Sequence, residues 1–470
     1  MRASYFQLKK TFMKQLLLVV SGLAFLIACN SGKPQTNLTF NKEIAPLIHK
    51  HCTPCHRPGE AGPFSLITYK DVRKKAKTIA RVVEAGVMPP WPADPEYTHF
   101  VGEKILTDTE KEMIVTWFNA GCPEGNASDL KPAPIYPEGS QLGKPDVVIR
   151  MEEPFTIPGD NRDRFMVFKI PYELEKDTFL RMVEYVPGNR KLSHHVNGHI
   201  IQYDDKQKKD VFVGPRYVDR EVAGTLDSCY RFMKLLNDDE TYPLLTPSVF
   251  NFLPGVLPQQ YPDGIGGYRI KKKGAILMRD LHYGPTPVSE TDQPHINLFF
   301  SAKPPERPFM ETQLGTLGIS EIVPPLLIPP DTIMKFVTKA LIYHDISLVT
   351  INPHMHLLGK SFLAYAITPQ SDTIRLVRIP KWDFRWQYFY TYPTMLKIPA
   401  GSTIVAEGVF DNTRNNPNNP FSPPREITGL GGSMRTTDEM FQLILTFLPY
   451  FPGDEHIRLD NILPGQTGLE

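Results

Sequence analysis

The sequence contains no long run of charge of one sign. Its net charge is +1, with the charges spread throughout, so it has neither the basic stripe that a nucleic acid needs nor an acidic tail. Nucleic acid is not an expected partner. Cysteine is scarce, with five residues (Cys29, Cys52, Cys55, Cys122 and Cys229), and three of them sit in patterns with their own chemistry, which excludes a disulfide framework. Cys122 and Cys229 are left over, either paired in an oxidising compartment or two unrelated buried thiols. Long helical periodicity is missing beyond the first quarter. What is plentiful is proline, 46 residues, and aromatic side chains, 11%. Together with many short Val/Ile/Phe/Tyr runs they point to antiparallel β-structure with Pro-punctuated loops. The length, 470 residues, exceeds one compact core, and at roughly 100–200 residues per domain it implies three domains after a leader is removed.

Lys9, Lys10 and Lys14 precede an apolar stretch at 15–28, the charged and hydrophobic regions of a secretory signal, too short to span a membrane as a stable anchor. Met13-Lys14 would by itself begin a complete signal. The stretch ends Leu26-Ile27-Ala28-Cys29, which resembles the lipobox of bacterial lipoproteins; an ordinary signal peptide cleaved nearby is the alternative. The resemblance implies a leader over 1–29, a lipid on Cys29, a membrane partner through that anchor, and a place in the cell envelope, periplasmic or outer-membrane.

Residues 38–125 are expected to form a small all-α domain, with helices over 40–50, 71–84 and 107–120. The first leads into Cys52-Thr53-Pro54-Cys55-His56. C-x-x-C-H is the attachment pattern of haem c, in which two thiols join the porphyrin and His56 is placed to ligate iron. A zinc site would need a second Cys/His pair, and a thioredoxin-like motif would need a βαβ context; neither is visible. Met88, in a Pro-rich loop after the second helix, resembles the sixth ligand of small cytochromes c, where a thioether raises the potential. The alternative is that Met88 packs on the haem and His99 or solvent takes that position.

Residues 126–146 read as a Pro-rich linker. Over 147–303 the pattern becomes short alternating strands at 164–170, 179–186, 195–202, 275–282 and 295–301. His194 and His195 are adjacent, and a regular strand would send them to opposite faces, so joint ligation needs a bulge or a strand end. Otherwise one is a ligand and the other a bystander. His282 offers a third imidazole, making a copper or zinc site with little preference between the metals. Over 304–462 the β-rich style repeats. A strand at 346–351 leads to His354-Met355-His356, whose imidazoles share one face by the period-2 rule, and Met440 precedes a strand at 441–447. A thioether beside two imidazoles disfavours zinc and favours Cu(I).

In this order His194-His195, His282-Tyr283-Gly284, His354-Met355-His356-Leu357-Leu358-Gly359-Lys360, and Gly431-Gly432 followed by Asp438-Glu439-Met440 resemble the copper type II, ascorbate-dependent monooxygenases, the family of the peptidylglycine α-hydroxylating and dopamine β-monooxygenases. The resemblance covers roughly residues 145–460. It implies two antiparallel β-sandwich lobes, jelly-roll-like, each holding one copper and facing the other across a solvent-filled cleft. His194, His195 and His282 would hold the electron-storing copper, and His354, His356 and Met440 the copper that activates O2. Where peptide-amidating members anchor a substrate carboxylate with Arg, Asn and Tyr, this chain has Asn352, Gln442 and Ile444, which argues against a glycine-extended peptide. The disulfides of the animal enzymes are also missing.

These readings imply a monooxygenase that hydroxylates a C–H bond of a small organic substrate with O2. Its cofactors would be two copper ions and one covalently attached haem c, which an external donor would reduce. Trp382, Trp386, Tyr388 and Tyr392 are candidates to line the cleft, or else core. The alternatives are an electron-transfer or copper-binding lipoprotein that oxygenates nothing, and a zinc hydrolase, which Met440 and the lack of a general base beside His-x-His weaken.

Overall fold

The computed structural model describes residues 37–137, 139–258, 260–262, 264–430 and 435–460. The leader with Cys29, and Gly431-Gly432, lie outside them. The chain is mostly β-sheet, 35% strand against 14% helix, and falls into two compact units. The first comprises residues up to Cys52, Leu66–Met88 and Leu106–Ala133; the second comprises Thr53–Ser65, Pro89–Ile105 and everything from Pro134.

In the first unit a π-helical turn, Phe40–Ile44, runs into helix Ala45–His51, and two further helices span Tyr69–Glu84 and Asp108–Asn119. Both later helices start at capping boxes, Thr68 with Asp71 and Thr107 with Glu110, each satisfying two otherwise orphaned backbone ends. Val72, Ala76, Ile79, Ala80 and Val83 form the buried stripe of the longest helix. Trp117 is 1% exposed and donates its indole N–H to the Pro123 carbonyl at 2.9 Å. No helix among the described residues is long and apolar enough to cross a membrane.

The fold class expected from the sequence is corrected here: the chain is mostly β-sheet, in several sheets, with only five short helices, and no small all-α cytochrome domain is evident. The physical reason lies in the loops between the first helices, which are apolar where they meet strands. Within the second unit, Trp91 and Phe100 pack against Tyr388, Tyr390 and Tyr392 in tilted and edge-on pairs at centroid separations of 4.8–5.5 Å. The Val101 N–H donates to the Thr391 carbonyl at 2.8 Å, and Asp94 pairs with Arg378 at 2.6 Å.

The second unit has two pairs of large sheets. A four-stranded sheet contains Val147–Arg150, His295–Ser301, Thr178–Val186 and Tyr268–Ile270 in that spatial order; it shares a core with a six-stranded sheet built on Arg164–Glu173, Lys273–Tyr283 and Ser193–Tyr203. The other pair is a four-stranded sheet ordered Met310–Gly315, Phe441–Pro449, Ile346–Met355, Tyr390–Ile398 and a five-stranded sheet around Thr403–Asp411. Alternation decides what faces out. Val196, Ile200, Ile276 and Met278 point into the first core, and Ile351, Met355, Leu443 and Leu445 into the second. His195, Asn352, His354, Gln442 and Ile444, at the intervening positions, therefore stand on the opposite faces.

The crossover between the two pairs is pinned by Arg307, which donates to both oxygens of Asp454 at 2.6 and 2.7 Å; Ser347 Oγ and the Phe451 N–H also donate to this carboxylate. Asp454 is 3% exposed, and these donors hold its carboxyl down at about 2 even though burial opposes them. A pKa depressed on folding means that the unfolded chain binds the proton more tightly. The contribution is therefore fully present above the ordinary Asp value and is lost as pH falls through about 2. Asp454→Ala is expected to destabilise the second unit by about 3–5 kcal/mol, because it strands a largely buried guanidinium. Urea unfolding at neutral pH checks this, and the gap between variant and wild type should shrink in acid.

Candidate metal centres

Two irregularities build the first centre. In strand Lys273–Tyr283 the register against both neighbours slips by one residue near Asp280, whose φ is +56°. One step later His282 pairs with His195 while Tyr283 pairs with Ser193, which leaves His194 as the extra residue of a bulge. The bulge frees His194 from strict alternation, and the ligating atoms of His194, His195 and His282 come within 4.8 Å of one another. The His282 Nε2–H donates to Asp163 Oδ1 at 2.7 Å and holds that carboxyl below its usual range. Its other ring nitrogen, Nδ1, is buried with no hydrogen-bond partner. Burial, with His282 adding to it, lowers His194 to about 3 and His195 well below the usual imidazole value. These rings are thus neutral, with lone pairs to offer.

The second set sits at the end of strand Ile346–Met355. His354 and His356 share one face with ring centroids 5.1 Å apart. Each ring has one nitrogen committed as a donor: His356 Nδ1 to the Asp438 carbonyl at 2.9 Å, and His354 Nδ1 to Gln387 Oε1 at 2.5 Å. The Gln387 amide is itself oriented by its NH2 donating to the Phe384 carbonyl at 2.9 Å. His356 Nε2 is left buried and unpartnered. Burial pushes His354 down to about 4 and His356 well below its usual value. Met440, 2% exposed, lines the same cavity as His354. Glu439 accepts from the His356 and Leu358 backbone N–H groups at 2.9 and 2.6 Å, clamping the turn after His-x-His. Burial lifts its carboxyl to about 8 despite those bonds.

Both sets fit metal ions by one criterion: on His282, His354 and His356 one ring nitrogen donates to a fixed acceptor, which leaves the other as the lone-pair site. Two of those remaining nitrogens, His282 Nδ1 and His356 Nε2, are orphaned in the interior, which is costly unless something accepts the lone pair. Asp163→Asn is expected to weaken metal binding at the three-His cluster by about 10–100-fold, measured by chelator competition, with the His354/His356 set unchanged.

The segment from Trp382 to Tyr388 touches both sets. The Phe384 ring lies 6.3 Å from His195 and 5.7 Å from His356, centroid to centroid, and a cavity lined by His195, Arg220 and Arg279 as well as Asn352, His354 and Met440 lies beside both sets. Trp386 packs on His194 at 5.3 Å. Trp382, whose indole N–H donates to the His356 carbonyl at 3.2 Å, belongs with Tyr388 and Tyr392 to the apolar core. Sequence reasoning missed Asp163, Phe384, Gln387 and Glu439 as supports. Only Glu439 left a trace, as a carboxylate beside Met440.

Of the haem residues, Cys52 and Met88 belong to the first unit and Cys55 and His56 to the second. His56 Nδ1 donates to the Phe64 carbonyl at 3.2 Å, which leaves Nε2 as its lone-pair nitrogen and fits an iron ligand. Cys229 is a buried free thiol. Neither a scan against protein-family models nor a search of curated proteins gives a match for this chain.

Proposed function

We propose that this chain is an exported copper- and haem-dependent monooxygenase, related to the copper type II family, that hydroxylates a C–H bond of a small organic substrate. The observation that carries the reading is the pair of imidazole sets, each with a buried ring nitrogen left as a lone-pair site, together with the Met440 thioether in the cavity that His354 lines. Two copper ions, with a haem c on Cys52 and Cys55, would supply the electron storage and O2 activation that side chains lack. His194, His195 and His282 hold the first copper. His354, His356 and Met440 hold the second, with Met440 favouring its reduced state. His56 is the proximal iron ligand and Met88 the sixth. Cys29 carries the lipid that ties the protein to the cell envelope, and an external donor delivers electrons.

Aromatic side chains within the second unit offer a route. Tyr388 stacks on Trp386 at 6.4 Å, and Trp386 packs on His194 at 5.3 Å. The same route also suits a lipoprotein that only transfers electrons. What favours the enzyme is the cavity beside His354 and Met440.

The test is anaerobic reduction of the copper-loaded protein, then mixing with O2 while haem absorbance is followed, in wild type and Met440→Ala. Fast reoxidation that requires copper and slows in the variant supports the proposal. Equal, copper-independent rates in both proteins would replace it with the electron-carrier reading.

A further inference from the structure

We propose that Arg220 anchors the anionic end of the substrate, a compact organic carboxylate, in the cavity beside His354 and Met440. This inference rests on reading His354, His356 and Met440 as the reactive centre. The cavity measures about 80 Å³ and is lined by Arg220 and Arg279 together with Asn352, His354, Met440 and Gln442. An engineered apolar cavity of about 150 Å³ takes up benzene. The present space therefore suits a short acid, or the acid end of a longer molecule, and not a peptide.

Arg220 opens a one-turn helix, Arg220–Ala223, after strand Tyr217–Asp219. Its side chain is 2% exposed. One guanidinium nitrogen, Nη1, pairs with Asp280, the residue at the strand irregularity. The other two, Nε and Nη2, are buried with no hydrogen-bond partner. Burying charged N–H groups without acceptors is expensive, and a guanidinium edge matches a carboxylate in shape and charge.

The opposite wall cannot serve instead. The positions used by amidating enzymes hold Asn352, Gln442 and Ile444, and all three line this cavity. Asn352 already gives its NH2 to the Tyr388 carbonyl at 2.9 Å, and Gln442 gives its NH2 to the Thr316 carbonyl at 2.8 Å. Among the described residues the guanidiniums lining the cavity are Arg220 and Arg279. Asp280 offsets one of them. Glu311, the other acid on the wall, accepts from the Ser248 N–H at 3.1 Å, and burial shifts it towards its neutral form. An anion entering here meets two guanidiniums, and on Arg220 an edge with no other acceptor.

The test is calorimetric titration of the full-length protein, copper-loaded and again after chelation, with propionate and with the size-matched neutral propionamide at fixed ionic strength. Wild type should prefer propionate at least tenfold in both states. The preference should vanish in Arg220→Gln and shrink in Arg220→Lys, which keeps the charge and loses the fork. Circular dichroism confirms that each variant is folded. Should Arg220→Gln not fold, Arg220→Lys decides. No detectable propionate binding, equal binding of acid and amide in wild type, or an undiminished preference in a folded Arg220 variant would overturn the assignment. A chelation-insensitive preference for propionate in a protein whose haem reoxidises independently of copper would keep the anion site and remove the oxygenase reading. Copper-dependent reoxidation without that preference would do the reverse.

Discussion

His356→Ala is expected to lose one copper ion per chain and to slow substrate-coupled O2 consumption by at least about 10³-fold. A catalytic metal contributes several kcal/mol of transition-state stabilisation, and each 1.4 kcal/mol is a factor of ten. The effect should be local. His356 is 0% exposed, its Nδ1 is tied to the Asp438 carbonyl, and its Nε2 is the orphaned nitrogen. Alanine removes the ligand and leaves the three-His cluster intact. Metal analysis after desalting should give two coppers in wild type and one in the variant. Two coppers retained in His356→Ala would show that this imidazole is not a ligand.

Glu439→Ala should be the most destabilising single change near either centre. The Glu439 carboxyl group accepts two buried backbone N–H bonds, from His356 and Leu358. Stranding a buried donor costs about 1–3 kcal/mol, so the variant should lose about 2–6 kcal/mol in urea unfolding. Glu439→Gln keeps one carbonyl acceptor and should lose roughly half of that. Because the clamp fixes the turn that carries His356, copper affinity at the His354/His356 set should fall about 10–100-fold in both variants. Chelator competition reads this separately from stability. Unchanged affinity in Glu439→Gln would reduce the clamp to a structural role.

The strands were legible where alternation was strong. The run expected at 295–301 is strand His295–Ser301, and that expected at 346–351 continues to Met355, so His354 lies on the strand itself. The facing of His354 and His356 follows from the same period. Adjacent His194 and His195 posed the harder question, and composition cannot say whether a strand will bulge. The answer depended on a slip in a neighbouring strand some 85 residues away. The helices at the start were also readable, and reading them as a closed all-α domain failed for an identifiable reason. Trp91 and Phe100 follow the second helix, and Tyr388, Tyr390 and Tyr392 pack on them. No local period encodes a partner nearly 300 positions distant. Asp163, Gln387 and Arg220 were illegible for the same reason: each matters through one long-range contact, and each sits in a segment with no motif.

The bulge at His194 also bears on how such a centre can be inherited. Deleting one residue from strand Ser193–Tyr203 would restore regular pairing there and turn part of its side chains to the other face of the sheet. Removing the irregularity at Asp280 would do the same to the end of the neighbouring strand that carries His282. Neither extra residue is useful to the sheet alone. Together they bring three imidazoles to one point, so the centre is a matter of strand length as much as of residue identity. Descendants of this chain could exchange many side chains and keep the centre, yet lose it through a single-codon deletion that leaves every histidine in place.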